Sequence, residues 1–110
     1  MNRLKVLLDF LDTDPDDAFT RFALASEYRK QGDRERAREL FEGLIRDRPD
    51  YVGTYYHLGK LCEDTGDTPR AIEVYGAGIK VAERQKDFHA RAELQSALLE
   101  AEGIGFDDEA

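Results

Sequence analysis

The chain repeats itself. Pro15, Asp16, Thr20, Leu24, Gly32, Asp33, Arg36, Ala37, Glu39 and Ile45 recur 34 residues later, without a gap, as Pro49, Asp50, Thr54, Leu58, Gly66, Asp67, Arg70, Ala71, Glu73 and Ile79. Ordinary composition would give about two coincidences in such a window, not ten. Phe22 with Tyr56, Leu40 with Val74 and Phe41 with Tyr75 add conservative pairs. A period of this length implies stacked helical repeats, because one such unit cannot bury its apolar face alone.

The rest of the chain fits a one-domain, all-helical reading. It has 110 residues, 41% hydrophobic and 36% charged. The formal net charge is −8, and the second half is the more acidic. Nucleic acid and anionic membrane both require a basic footprint, so neither is expected as a partner. Cys62 is the single cysteine, so no internal disulfide can form and a reducing compartment is expected. Lys5 and Asp9 interrupt the apolar N-terminal stretch and no small-residue cleavage site follows, which does not read as a signal peptide. A cytoplasmic location is expected.

Helix signals run along the whole chain. Leu4, Leu7, Leu8 and Leu11 make one apolar helical face. Pro15 breaks it, and the carboxylates around it suit the start of the next helix. The run Asp12–Asp17 is no calcium loop: Asp17 stands where glycine is needed, and Ala23 where the closing Glu would be. Helices follow over about 17–31, 34–47 and 52–65, then from after the Gly66-Asp67 hinge to about 85, and over about 88–102. Gly32-Asp33 and Gly66-Asp67 each close one helix and open another. Pro69 sits in a first helical turn, where its missing N–H costs nothing. Gly76 and Gly78 fall mid-helix and are expected to allow close helix crossing. Gly103 and Gly105 close the last helix, and residues 106–110 read as a disordered acidic tail.

The repeated unit resembles the tetratricopeptide repeat. Residues 18–51 supply Leu24-Ala25, Tyr28, Gly32, Ala37, Phe41 and Pro49. Residues 52–85 supply Tyr55, Leu58-Gly59, Gly66, Ala71, Tyr75 and Gly78. Ala25, Gly59, Ala37 and Ala71 let the helices of a hairpin approach, and Phe41 and Tyr75 fill the space between neighbouring repeats. Leu44, Cys62 and Glu83 depart from the pattern. The resemblance implies an all-α, right-handed α-α superhelix of about six antiparallel helices. It divides as a half-repeat helix at 3–14, repeats at 18–51 and 52–85, and a capping helix at 87–103, all within one domain spanning 1–105. The layout is similar to that of small stand-alone bacterial proteins of this family.

In that family the first helix of each repeat lines a concave groove. The contact positions map onto Phe19, Phe22, Ala23, Ser26, Arg29 and Lys30, then onto Gly53, Tyr56, His57, Lys60, Glu63 and Asp64. Continued register adds Asp87, Ala90, Arg91 and Leu94. The expected partner-binding residues are Phe19, Phe22, Ser26, Arg29, Tyr56, His57, Lys60 and Arg91. An aromatic floor with a few cations suits a peptide or helix bearing a carboxylate. The chaperone-tail specificity of some members needs a basic residue and an Asn where this chain has Phe22 and Ser26, so it is not expected.

No chemistry is legible. His57 and His89 form no metal spacing with each other or with Cys62. Cys62 falls on a core-facing position, where a thiol packs as a small hydrophobe. No catalytic residue, cofactor or metal is expected. The expected role is a protein–protein interaction module that binds a partner protein in its groove. The alternative is a self-associating assembly subunit, a homodimer, with no peptide ligand.

Overall fold

The computed structural model describes residues 2–103. Gly105 and the expected tail lie outside the described residues. Six helices follow one another: α1 (Arg3–Thr13), α2 (Ala18–Lys30), α3 (Arg34–Asp47), α4 (Gly53–Asp64), α5 (Thr68–Gln85) and α6 (Phe88–Glu102). Among the described residues there is no strand, and no helix is long and apolar enough to cross a membrane.

Local chemistry sets the helix ends. The side chains of Asp17, Asp33, Asp67 and Asp87 each accept the N–H three residues on, at 2.9, 3.1, 3.2 and 3.0 Å. Each satisfies a donor that the helix itself leaves unpaired. Three of these residues also finish the preceding helix. The N–H groups of Asp33, Asp67 and Asp87 bond to the carbonyls of Tyr28, Cys62 and Ala82, five residues back, at 2.9, 2.7 and 2.9 Å. This closing bond requires a left-handed residue just before it. Gly32 and Gly66 supply it with φ of +90° and +84°. Lys86 supplies it at φ +59°, where a Cβ costs roughly 1–2 kcal/mol.

The chain falls into two compact units that divide between Thr54 and Tyr55. In the first, Leu7 of α1 is buried with Ala23 and Leu24 of α2, and Leu4, Leu11, Tyr28 and Leu40 pack around them. Ala25, Ala37, Phe41 and Leu44 are also buried. Arg21 on α2 reaches Asp47 on α3 at 3.0 Å. Arg46 and then Arg21 hold the Asp47 carboxyl below the usual range.

In the second unit Tyr55, Leu58, Leu61 and Cys62 of α4, Val74 and Tyr75 of α5, and Leu94 and Ala97 of α6 form the interior. The Tyr75 ring occupies the space where a Gly59 side chain would stand. Its hydroxyl donates to the Glu63 carboxylate, and burial pushes its pKa well above the ordinary tyrosine value. Phe41 meets Phe22 edge-on at 5.8 Å. The two mid-helix glycines also separate. A Cβ on Gly78 would come within 2.5 Å of the Tyr55 Cβ, whereas one on Gly76 would meet nothing within 4 Å. Only Gly78 serves close crossing.

Two predictions follow from this packing. Gly59→Ala will destabilise by about 1–3 kcal/mol, because overpacking against a buried ring outweighs alanine's helix preference. Gly76→Ala will stabilise by about 1 kcal/mol. Chemical denaturation of both variants checks the contrast. The Thr20 hydroxyl and N–H both donate to Asp17 and lower its pKa. Its contribution to stability is therefore complete above the ordinary carboxylate pKa and is lost as pH falls through the lowered value. In Thr20→Val, NMR titration of Asp17 will show a midpoint moved up toward the ordinary value.

Candidate interaction surface

The expected contact residues divide between the two units. In the first, the exposed face of α2 carries Phe19, 64% exposed, and the half-buried Phe22, Ser26 and Arg29. Phe22 is a packing residue as much as a surface one. Its ring lies 5.8 Å from that of Phe41 and 5.8 Å from that of Tyr51. Ala23, a family contact position, is buried at 7% exposure against Leu7 and Leu24 and offers little surface.

Tyr51 is the residue that sequence reading passed over. It stands 34 positions after Asp17, where the first repeat has its capping carboxylate. The consequence shows in the equivalent threonines. Thr20 donates its hydroxyl to Asp17 at 2.6 Å, whereas the buried Thr54 hydroxyl meets no hydrogen-bond partner among the described residues. The second repeat has given up a capping bond and gained an aromatic ring that covers Phe22. This break in an otherwise faithful repeat was the available signal.

In the second unit, α4 gathers three of the expected residues. The Lys60 ammonium lies 5.6 Å from the Tyr56 ring centroid, within range for a cation–π contact. His57 meets Tyr56 edge-on, with centroids 5.6 Å apart. Lys60 also approaches Glu100 of α6 at 3.7 Å, with side-chain exposures of 28% and 72%. The lysine is thus held over the ring from one side and by a water-exposed carboxylate from the other. An exposed ion pair of this kind is worth about 1 kcal/mol or less, so an incoming carboxylate can displace Glu100 at small cost.

Arg91 on α6 stands 34 residues after His57 but is employed differently. Its guanidinium lies 5.6 Å from the Phe88 ring centroid, and one terminal nitrogen is 4.0 Å from Glu83. Its Nε is buried and meets no acceptor among the described residues. Leu94, also carried over by register, is 1% exposed and belongs to the core. A residue's place in the repeat template does not decide this; the packing of α6 on α5 does.

A concavity lies in the first unit, at a place the repeat register did not indicate. Leu8 and Leu11 of α1, Leu24 and Tyr28 of α2, and Arg36, Glu39 and Leu40 of α3 line an apolar depression of about 270 Å³. Arg36 lies over the Tyr28 ring at 5.7 Å and pairs with Asp33 at 3.1 Å. The leucines were legible in sequence as core positions. That they leave a depression depends on how three helices meet.

Among the described residues no group of three or more His, Cys, Asp or Glu side chains is placed to hold a metal ion. The buried Cys62 packs with the interior of its unit.

Comparison with known proteins agrees with this architecture. The crystal structure of a tetratricopeptide repeat domain protein from Salinibacter ruber matches with a TM-score of 0.77 and 50% sequence identity, over 81% of this chain and 99% of that one. A TPR repeat-containing protein of Pseudomonas aeruginosa is 32% identical over 79 residues, which is 72% of this chain and 75% of its own length. Cellulose synthase operon protein C of Pseudomonas fluorescens is 33% identical over 82 residues, or 74% of this chain, and the chain spans 6% of that protein's length. The profile of the tetratricopeptide repeat matches residues 22–89. With the helical hairpins, the glycine-aspartate hinges and the close-packed small residues already described, this match shows that the chain belongs to the tetratricopeptide repeat family.

Proposed function

We propose that the protein is an interaction module that takes up a peptide or helix of a partner protein on the first helices of its repeats. The family supports a scaffold role of this kind, and its members are typically non-catalytic. The observation that carries the finer reading is the α4 cluster. Tyr56 is a half-buried aromatic anchor, His57 stands against it, and Lys60 supplies a cation whose acid partner, Glu100, is mostly in water. Rigid aromatics beside a weakly held charge are what recognition of a short acidic peptide segment requires. Phe19, Ser26 and Arg29 on α2 are the corresponding candidates in the first unit. Arg91 contributes less directly, since Phe88 and Glu83 already engage it.

A contact surface built on a few helical turns lies at or below the standard size of about 800 Å² per partner, so micromolar binding is expected. Peptides selected from a random display library provide the ligand for a test by calorimetric titration. Tyr56→Ala and Lys60→Ala will each weaken binding by about ten-fold or more, roughly 1–2 kcal/mol, with helicity unchanged. Phe22→Ala is a poorer test, because it also removes the contacts with Phe41 and Tyr51. Selected peptides that bind both α4 variants as tightly as the native chain would place the site elsewhere.

A further inference from the structure

Lys60 and Glu100 pair across two helices, although each sits in a helix that could have settled its charge locally. On α4, Lys60 has acids three and four positions ahead, Glu63 and Asp64. Glu63 is engaged by the Tyr75 hydroxyl. Lys60 instead lies over the Tyr56 ring, one turn back, and faces α6. On α6, the neighbours of Glu100 at three- and four-residue steps are Ser96, Ala97, Gly103 and Ile104, and none carries a charge. Glu100 stands in the last turn of α6, which contains no basic residue. The free carbonyls of a helix end favour a positive charge there. Lys60 is the cation that answers it.

The answer is incomplete. At 3.7 Å the ammonium and the carboxylate are beyond hydrogen-bond distance. The donors of Lys60 and the acceptor sites of Glu100 are therefore not spent on each other. A partner carboxylate that approaches Lys60 also meets Glu100, because the α6 backbone keeps that residue beside the lysine. An acid alone thus trades an attraction for a repulsion. A base alone meets the reverse difficulty at Lys60. A ligand that carries both gives every charge in the set neighbours of opposite sign. The net charge of −8 acts in the same direction, since it disfavours a purely acidic segment.

We infer that the Tyr56 surface takes a partner segment of mixed charge, with an acidic and a basic side chain on one face, the acid on Lys60 and the base on Glu100. The segment crosses from α4 to α6. Its two charged residues stand two apart if it is extended, and three or four apart if it is helical. Tyr56, Lys60 and Glu100 all belong to the second compact unit. The inference rests on the reading of α4 as a peptide site and adds Glu100 as a specificity-determining contact.

Peptides selected from a random display library against the full chain supply the probe. The selected set will combine Asp or Glu with Lys or Arg at those spacings. One such peptide, and a version with its base replaced by glutamine, are titrated calorimetrically at low ionic strength. On the native chain the base-free version will bind about five-fold more weakly. In Glu100→Gln that preference will vanish, chiefly because the base-free version binds more tightly than it does to the native chain. Glu100 is 72% exposed, so helicity will be unchanged. Glu93→Gln removes an exposed acid of the same helix about 10 Å further back and will keep the preference. A selected set without bases overturns the inference and leaves the α4 reading in place. So does a preference that survives Glu100→Gln, or one that Glu93→Gln abolishes equally. Peptides indifferent to both Tyr56→Ala and Lys60→Ala overturn the α4 reading and this inference together.

Discussion

A helical hairpin must stop one helix and start the next within a few residues, and here one aspartate does both. The N–H groups of Asp33, Asp67 and Asp87 tie off the helix behind them, while their carboxylates accept from the helix ahead. The end of one helix and the origin of the next are therefore fixed to the same residue. Each hinge leaves little freedom in the angle at which the chain turns back. The packing described for α2 on α3, and for α5 on α6, presupposes that turn. The hinge before α6 keeps the bond geometry but has Lys86 where the others have glycine, so the same bend is made there under steric load.

The tight turn in the second unit is matched by a close approach. Gly59 has no side chain because Tyr75 occupies its place, and Gly78 has none because Tyr55 and Leu94 press against it. Close approach in turn positions the outer face of α4, where Tyr56, His57 and Lys60 meet. The candidate surface is thus a by-product of the interior. Helices held by backbone bonds and short side chains keep their remaining positions free for an aromatic ring and a charge.

How much of this could be read in the amino-acid sequence depends on the range of the force concerned. Helix starts, hinges and the repeat itself rest on contacts between residues a few positions apart, and the helices begin and end close to where Pro15, Gly32, Asp33, Gly66, Asp67 and Pro69 suggested. Exposure rests on contacts between elements and was less legible. Phe22 and Tyr56 hold the same template position, but the Phe22 ring packs on Phe41 and Tyr51 while the Tyr56 ring meets His57 and Lys60. Leu94 and Lys60 share a register position, yet one is core and the other surface. Gly76 and Gly78 look alike in sequence and differ only in what stands opposite them. The depression beside Tyr28 needed three helices to exist before it could be seen.

The ring that displaces a side chain at Gly59 has a consequence for assembly of the chain. Two hairpins copied from one template can exchange halves while folding, since α2 and α4, or α3 and α5, carry nearly the same apolar stripe. Such swapped pairings are traps that a duplicated sequence must disfavour. Here the copies have diverged where it matters. Tyr75 requires a bare backbone, which Gly59 provides and Ala25 does not. Its hydroxyl requires an acid, which Glu63 provides and Arg29, at the corresponding position, does not. The bulky ring and its carboxylate work as a key that only one of the two sibling helices can accept.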